Sequence, residues 1–295
     1  MTTSYPFTNL VFEGGGVKGI AYAGALAVLA ERDVLPRVTA VAGTSAGAIT
    51  AALVAVGYTP EELTETMLAL DLRKFEDGKL EGPVRLVEKY GFYKGEAFLD
   101  WMREQVAAKV GSPDATFADL AAQGRPDLRV VATDLATQVP RVFSPSTSPT
   151  VAVAHAVRMS MSIPFFFAAV QDEGSVYVDG GAVWNYPVEI FDTGGPNVAT
   201  LGFRFENTSA APRPPSHVGD VVEYVKALYE AMSMVQTDFY RRSGADVERT
   251  VVVDDLGIKA TEFAITDDQK HELIARGRAA TDAFLNAWTP ATATA

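Results

Sequence analysis

Cysteine is absent from this chain of 295 residues. That absence excludes a disulfide framework, thiolate catalysis and every thiolate metal site. Histidine is scarce: His155, His217 and His271 are the only three, too few for a His-rich metal centre and few as imidazole bases. Long apolar runs are missing as well. The most apolar stretches, residues 21–30 and 46–56, fall well short of the ~20 residues that span a bilayer. Positive charge is in deficit, with 25 Lys and Arg against 37 Asp and Glu and a net charge of −12. Such a balance argues against a nucleic-acid partner and against electrostatic docking on anionic lipid. Residues 1–6 hold neither the basic nor the apolar region of a secretory signal, so the expectation is a soluble, cytoplasmic protein.

What is present is ample apolar material: 48% of residues are hydrophobic, enough for the core of one sizeable domain. No internal repeat or domain linker stands out. The reading is a single α/β domain over residues 9–288, with flexible ends at 1–8 and 289–295. Pattern and caps predict strands at 9–13, 38–42, 128–134, 176–179, 197–203 and 250–253. Helices are expected at 20–32, from 46, through much of 58–109, at 151–161 behind Ser148-Pro149, at 218–242, and from a Thr266/Gln269 capping box to 288. The Pro-rich stretch 210–215 reads as a linker.

The chain is organised around Gly43-Thr44-Ser45-Ala46-Gly47, which follows a strand and opens a helix. A serine at such an apex takes a strained backbone conformation, and its neighbours must be small to avoid strand and helix. The helix turns unpaired N–H groups and its positive dipole end toward the Ser45 hydroxyl. Ser45 is thus a candidate nucleophile, although a G-x-S-x-G turn is also compatible with ordinary strand-helix packing.

A second strand, glycine loop and helix precedes it: Gly14-Gly15-Gly16-Val17-Lys18-Gly19. The loop matches G-x-G-x-x-G, but a dinucleotide site needs an acidic residue at the end of the next strand. Here that strand ends in Gly43-Thr44-Ser45, which removes most of the support for a nucleotide. If the two strands are parallel neighbours, the N–H groups of Gly14, Gly15 and Gly16 lie near Ser45 and form an oxyanion hole. Lys18 then either adds positive charge at the mouth or closes the turn onto the helix.

A base is needed next. Val176-Tyr177-Val178-Asp179-Gly180-Gly181 is an apolar strand ending in a carboxylate and two glycines, a common turn by itself. Alongside Ser45 it supplies the missing base, with Gly180 and Gly181 permitting a tight turn that aims Asp179 back across the sheet. Asp134 is a rival carboxylate at another strand end. His271 would serve a Ser-His-acid esterase, but Gln269-Lys270-His271-Glu272 reads as a solvated helix face. His155 lies among alanines and valines and reads as packed. Ile163-Pro164-Phe165-Phe166-Phe167 reads either as core or as the wall of an acyl-chain pocket.

These three motifs, in this order, resemble the patatin-like phospholipase family, with Asn185 and Pro187 following Asp179 in the same pattern. Where the family more often has Arg, this chain has Lys18. The resemblance implies a three-layer α/β/α fold with a mainly parallel sheet. It also implies a Ser45–Asp179 dyad that cleaves lipid acyl esters through an acyl-enzyme, without cofactor or metal and with transient contact at a membrane surface. A non-catalytic lipid- or nucleotide-binding module on the same fold is the other class of reading.

Overall fold

The computed structural model describes residues 5–78, 82–172, 174–208, 218–219 and 221–289. The first half runs β1 (Asn9–Phe12), α1 (Ala21–Glu31), β2 (Ala40–Thr44), α2 (Ala46–Val56), α3 (Pro60–Ala69), α4 (Gly82–Glu88), β3 (Gly91–Tyr93), α5 (Glu96–Val110) and α6 (Phe117–Ala122). It continues with β4 (Asp127–Asp134), β5 (Val139–Phe143), α7 (Val153–Ser160), β6 (Phe165–Phe167), β7 (Val170–Asp172) and β8 (Ser175–Asp179). The last part is β9 (Thr200–Glu206), α8 (Val221–Arg242), α9 (Gly244–Glu248), β10 (Thr250–Asp254) and α10 (Asp267–Ala287).

The central sheet has the order β10-β9-β1-β2-β4-β8-β7, parallel from β10 through β4 and antiparallel beyond it. Its inner strands are buried on both faces, as parallel strands between layers must be. Side chains alternate: Leu10, Phe12 and Val41 join the main core with α1 and α2, whereas Val11, Ala40 and Ala42 pack under Tyr186, Ile190 and Phe191. Each fully buried Leu or Phe contributes roughly 1.5–3 kcal/mol. The result is a three-layer α/β fold with a mostly parallel sheet.

One feature of pairing decides where the site lies. Along β4, Val130 and Val131 pair with β2 on one edge and β5 on the other, and Ala132 to Asp134 pair with β5 and β8. Strand β8 therefore occupies the edge of β4 that β2 has just vacated. The two strands meet nearly end to end, with Thr44 opposite Val131 and Asp179 opposite Ala132.

Several local expectations differ from the fold. The helix expected from 151 begins at Val153 without a side-chain cap. Backbone bonds explain this: the carbonyls of Pro149 and Val151 accept from Ala118 and Phe117, which ties the preceding chain to α6. Strands β3, β5, β6 and β7 are not expected from the sequence, and among the described residues β3 pairs with β6 alone, in a small separate sheet. The N-terminus was expected to be flexible; residues 1–4 lie outside the described residues, but Tyr5 and Phe7 are buried against Trp288. The linker at 210–215 also lies outside them. Capping boxes at Thr59/Glu62, Thr116/Asp119 and Thr266/Gln269 all form, each worth about 1 kcal/mol. Among the described residues no helix is long and apolar enough to cross a membrane.

Candidate active site

Ser45 stands between β2 and α2 with φ 53° and ψ −122°, a left-handed conformation that costs a non-glycine residue about 1–3 kcal/mol. Close packing holds it there. A Cβ on Gly47 would lie 2.2 Å from the Phe12 carbonyl oxygen, so only glycine lets α2 approach β1 this closely. The Ser45 N–H donates to Ser160 Oγ at 2.8 Å, and that hydroxyl donates in turn to the Val131 carbonyl at 2.6 Å. Ser45 Oγ makes no capping bond to its own helix. It stays available at the positive end of α2.

Asp179 is fully buried at the end of β8. Its Oδ1 accepts from the Gly181 N–H at 2.7 Å and from the Tyr229 hydroxyl at 2.9 Å. Among the described residues Oδ2 has no hydrogen-bond partner. Burial pushes the carboxyl up to about 6, opposed by the Ser45 hydroxyl, the Gly181 N–H and the Tyr229 hydroxyl. Ser45 is thus near enough to favour the charged form while the pair stops short of a formed hydrogen bond. Gly180 makes the junction possible, since a Cβ there would sit 2.3 Å from the Val131 oxygen and 2.8 Å from the Thr44 methyl.

The glycine loop departs in part from expectation. Strands β1 and β2 are parallel neighbours, with Phe12 opposite Gly43. The Gly14 N–H, however, donates to the Asn185 carbonyl at 3.0 Å, while Asn185 Nδ2 returns to the Gly14 carbonyl at 3.2 Å. Gly14 is consumed as a structural clamp and is no oxyanion donor in this arrangement. Among the described residues no acceptor occupies the Gly15 or Gly16 N–H. Lys18 pairs with Asp255 at 3.0 Å and lies over the Phe205 ring, fastening the loop to the end of β10. Gly19 packs against Ala46 of α2.

The rival bases lie elsewhere. Burial alone would raise Asp134, but hydrogen bonds from Thr137, Ala136 and Ser175 hold it below the usual carboxylate value. His271 is exposed on α10, its Nδ1 on the Asp267 carbonyl oxygen. Burial lowers His155 on α7. Neither histidine lines the clefts at Ser45; His217 lies outside the described residues.

Two clefts meet at Ser45. One, about 600 Å³ and part open to solvent, has apolar walls that include Val17, Ile49, Met67, Phe98, Ile163 and Phe167. The second, about 1420 Å³ with its open part, is more polar and includes Gly15, Gly16, Asn185, Tyr229 and Lys259. Within the 163–167 stretch, Ile163 and Phe167 line the apolar cleft, whereas Phe166 is buried against Tyr93 and Phe263. Ser160 and Tyr229 escaped notice in the sequence. Each is an ordinary polar residue on a helix, and only the tertiary fold brings it here.

An uncapped serine on a strained βα turn, glycine N–H groups at the neighbouring turn and a buried carboxylate across a shared strand edge define a class of α/β proteins built around a serine elbow. Residues 10–192 match the family described as Patatin-like phospholipase, and the chain belongs to that family. The Bacillus subtilis (strain 168) protein YqhO is 34% identical over 305 residues, covering 95% of this chain and 98% of YqhO. Triacylglycerol lipase 4 of Saccharomyces cerevisiae is 30% identical over 165 residues, 54% of this chain but 18% of the yeast protein. The crystal structure of VipD from Legionella pneumophila shares the fold, with a TM-score of 0.66 at 20% identity over 96% of this chain and 67% of that one.

Proposed function

We propose that this protein hydrolyses carboxylic esters of lipids through an acyl-enzyme on Ser45, with Asp179 as general base. The observation that carries the reading is Asp179 Oδ2, a wholly buried carboxylate oxygen without a partner among the described residues, on a residue whose other oxygen is tied down. Its neighbour across the strand junction is the serine elbow. A carboxylate of ordinary pKa, about 3.9, is a weak base for a hydroxyl. Raised to about 6 by burial, Asp179 is better matched to proton transfer near neutrality.

The steps follow from that pairing. Ser45 Oγ attacks the ester carbonyl carbon while its proton passes to Asp179 Oδ2. The oxyanion that forms is met by the Gly15 and Gly16 N–H groups and the first turn of α2, where loss of one donor typically costs about 2.7–4 kcal/mol of barrier. Collapse expels the alcohol, which takes the proton back from Asp179. Water then repeats the sequence on the acyl-Ser45 ester and releases the acid.

The apolar cleft suits an acyl chain and the polar one the alcohol part, and family membership and lipase relatives support a lipid ester. Transient contact with a lipid surface belongs to the same reading. The test is hydrolysis of a medium-chain p-nitrophenyl ester and a panel of phospholipids and acylglycerols. Wild type is expected to release acid, Ser45→Ala and Asp179→Asn to fall to background, and His155→Ala and His271→Ala to retain activity. Ester turnover that survives Ser45→Ala would overturn the proposal, and saturable lipid binding without turnover would favour a binding module.

A further inference from the structure

The turn that carries Asp179 is gripped from above by α8. Tyr229 donates its hydroxyl to Asp179 Oδ1 at 2.9 Å. Two turns further along the helix, Gln236 Nε2 donates to the Gly181 carbonyl at 2.9 Å and Gln236 Oε1 accepts the Asn185 N–H at 2.7 Å. The two residues do different things: Gln236 holds only backbone, whereas Tyr229 touches the carboxylate itself.

A carboxylate rotates readily about its last torsion, which is broad and two-fold. With the Gly181 N–H as its sole tether, either oxygen could take that bond and either could face the serine. The phenol adds a second donor on Oδ1, at 2.9 Å. The geometry points to Tyr229 as a positioning residue for the proposed hydrolysis, fixing Oδ1 as the bound oxygen and Oδ2 as the one that receives the Ser45 proton. The inference rests on the Ser45–Asp179 reading and adds to it a residue outside the three motifs.

Donation from Tyr229 also favours the ionised form of Asp179, as do the Gly181 N–H and the Ser45 hydroxyl, against the larger effect of burial. The other carboxylate bearing on Tyr229 is Glu13, at the end of β1, and burial together with Asp179 and Glu13 keeps the phenol protonated. Removing the phenol therefore raises Asp179 further. Because the base must be ionised, the acid limb of the rate profile moves to higher pH.

The experiment compares wild type, Tyr229→Phe and Gln236→Leu on a soluble p-nitrophenyl ester from pH 4.5 to 9, with a ¹³C-carboxyl NMR titration of Asp179 in each protein. Tyr229→Phe removes only the hydroxyl that donates to Asp179. It is expected to lose about tenfold in kcat with little change in KM. Its acid limb and its Asp179 titration should both rise by about one pH unit. Gln236→Leu is expected to slow the reaction without moving the limb. A Tyr229→Phe enzyme whose limb and titration coincide with wild type overturns the inference, as does an equal rate loss in both variants at an unchanged limb. A wild type inert toward the ester overturns the proposed function instead, and the NMR titration then still reads the Tyr229–Asp179 contact.

Discussion

Replacing Asp179 by Asn should abolish turnover and at the same time make the protein more stable. The folded state raises this carboxyl from 3.8 to about 6, chiefly by burial. Between those values the native chain keeps a proton that the unfolded chain has released, so folded stability declines as pH climbs through the window. Above pH 6 the decline is complete, because both states are then ionised. The shift of about two units is worth about 3 kcal/mol at 1.36 kcal/mol per unit. Asn keeps the shape and offers an amide in place of the charge. Its carbonyl oxygen can still accept from Gly181 and Tyr229, and its amide can occupy the site of the unpartnered Oδ2.

The variant is therefore expected to exceed wild type by about 3 kcal/mol at pH 8, or about 5 °C in Tm for a chain of this length. The advantage should shrink through pH 5 and vanish near pH 4, where wild-type Asp179 is itself neutral. Urea unfolding of both proteins, followed by tryptophan fluorescence at half-unit intervals from pH 4 to 8, reads the gap directly. An Asp179→Asn protein less stable than wild type at pH 8 would refute the reasoning. So would a gap of constant size, which would mean that packing and not the buried charge sets it.

Two further outcomes follow from the elbow. Ser45→Gly should be more stable than Ser45→Ala by about 1 kcal/mol, because glycine relaxes at φ 53° where any Cβ is strained; equal urea midpoints would show that the elbow stores no strain. Ser160→Ala removes the acceptor of the Ser45 N–H and the donor to the Val131 carbonyl. It should cost about 1–3 kcal/mol of stability and lower kcat more than it raises KM, and unchanged kinetics would detach Ser160 from the site.

Where the backbone itself is unusual, composition betrays it. The elbow, the glycine loop and the Asp179-Gly180-Gly181 turn were legible because close approach admits only the smallest residues, and that restriction is written in the sequence. The strands that carry them were legible as short apolar runs, and a capping box marked the start of α10. Strands β3 and β5 to β7 were not, since each is short, β3 and β6 pair in a separate sheet, and β7 lies at the edge of the main one. The fate of the Gly14 N–H was equally hidden: its acceptor, Asn185, is remote in sequence and reaches it only once β8 has docked. Tyr229 read as one more side chain on an amphipathic helix. Partners chosen by tertiary structure leave no local mark.

The shared edge of β4 has a consequence for how this chain emerges from the ribosome. The residues of elbow and glycine loop are all made by the end of α2, early in synthesis, but Asn185 and Asp255, which fasten the loop, come far later. The turn with Asp179 comes much later, and it reaches Ser45 only after β8 has found the stretch of β4 left uncovered beyond Thr44. Tyr229 arrives later still, 50 residues beyond Asp179. A half-made chain with its serine already in place would thus be chemically silent, and reactivity toward esters would switch on only when almost the whole sequence has been translated and docked.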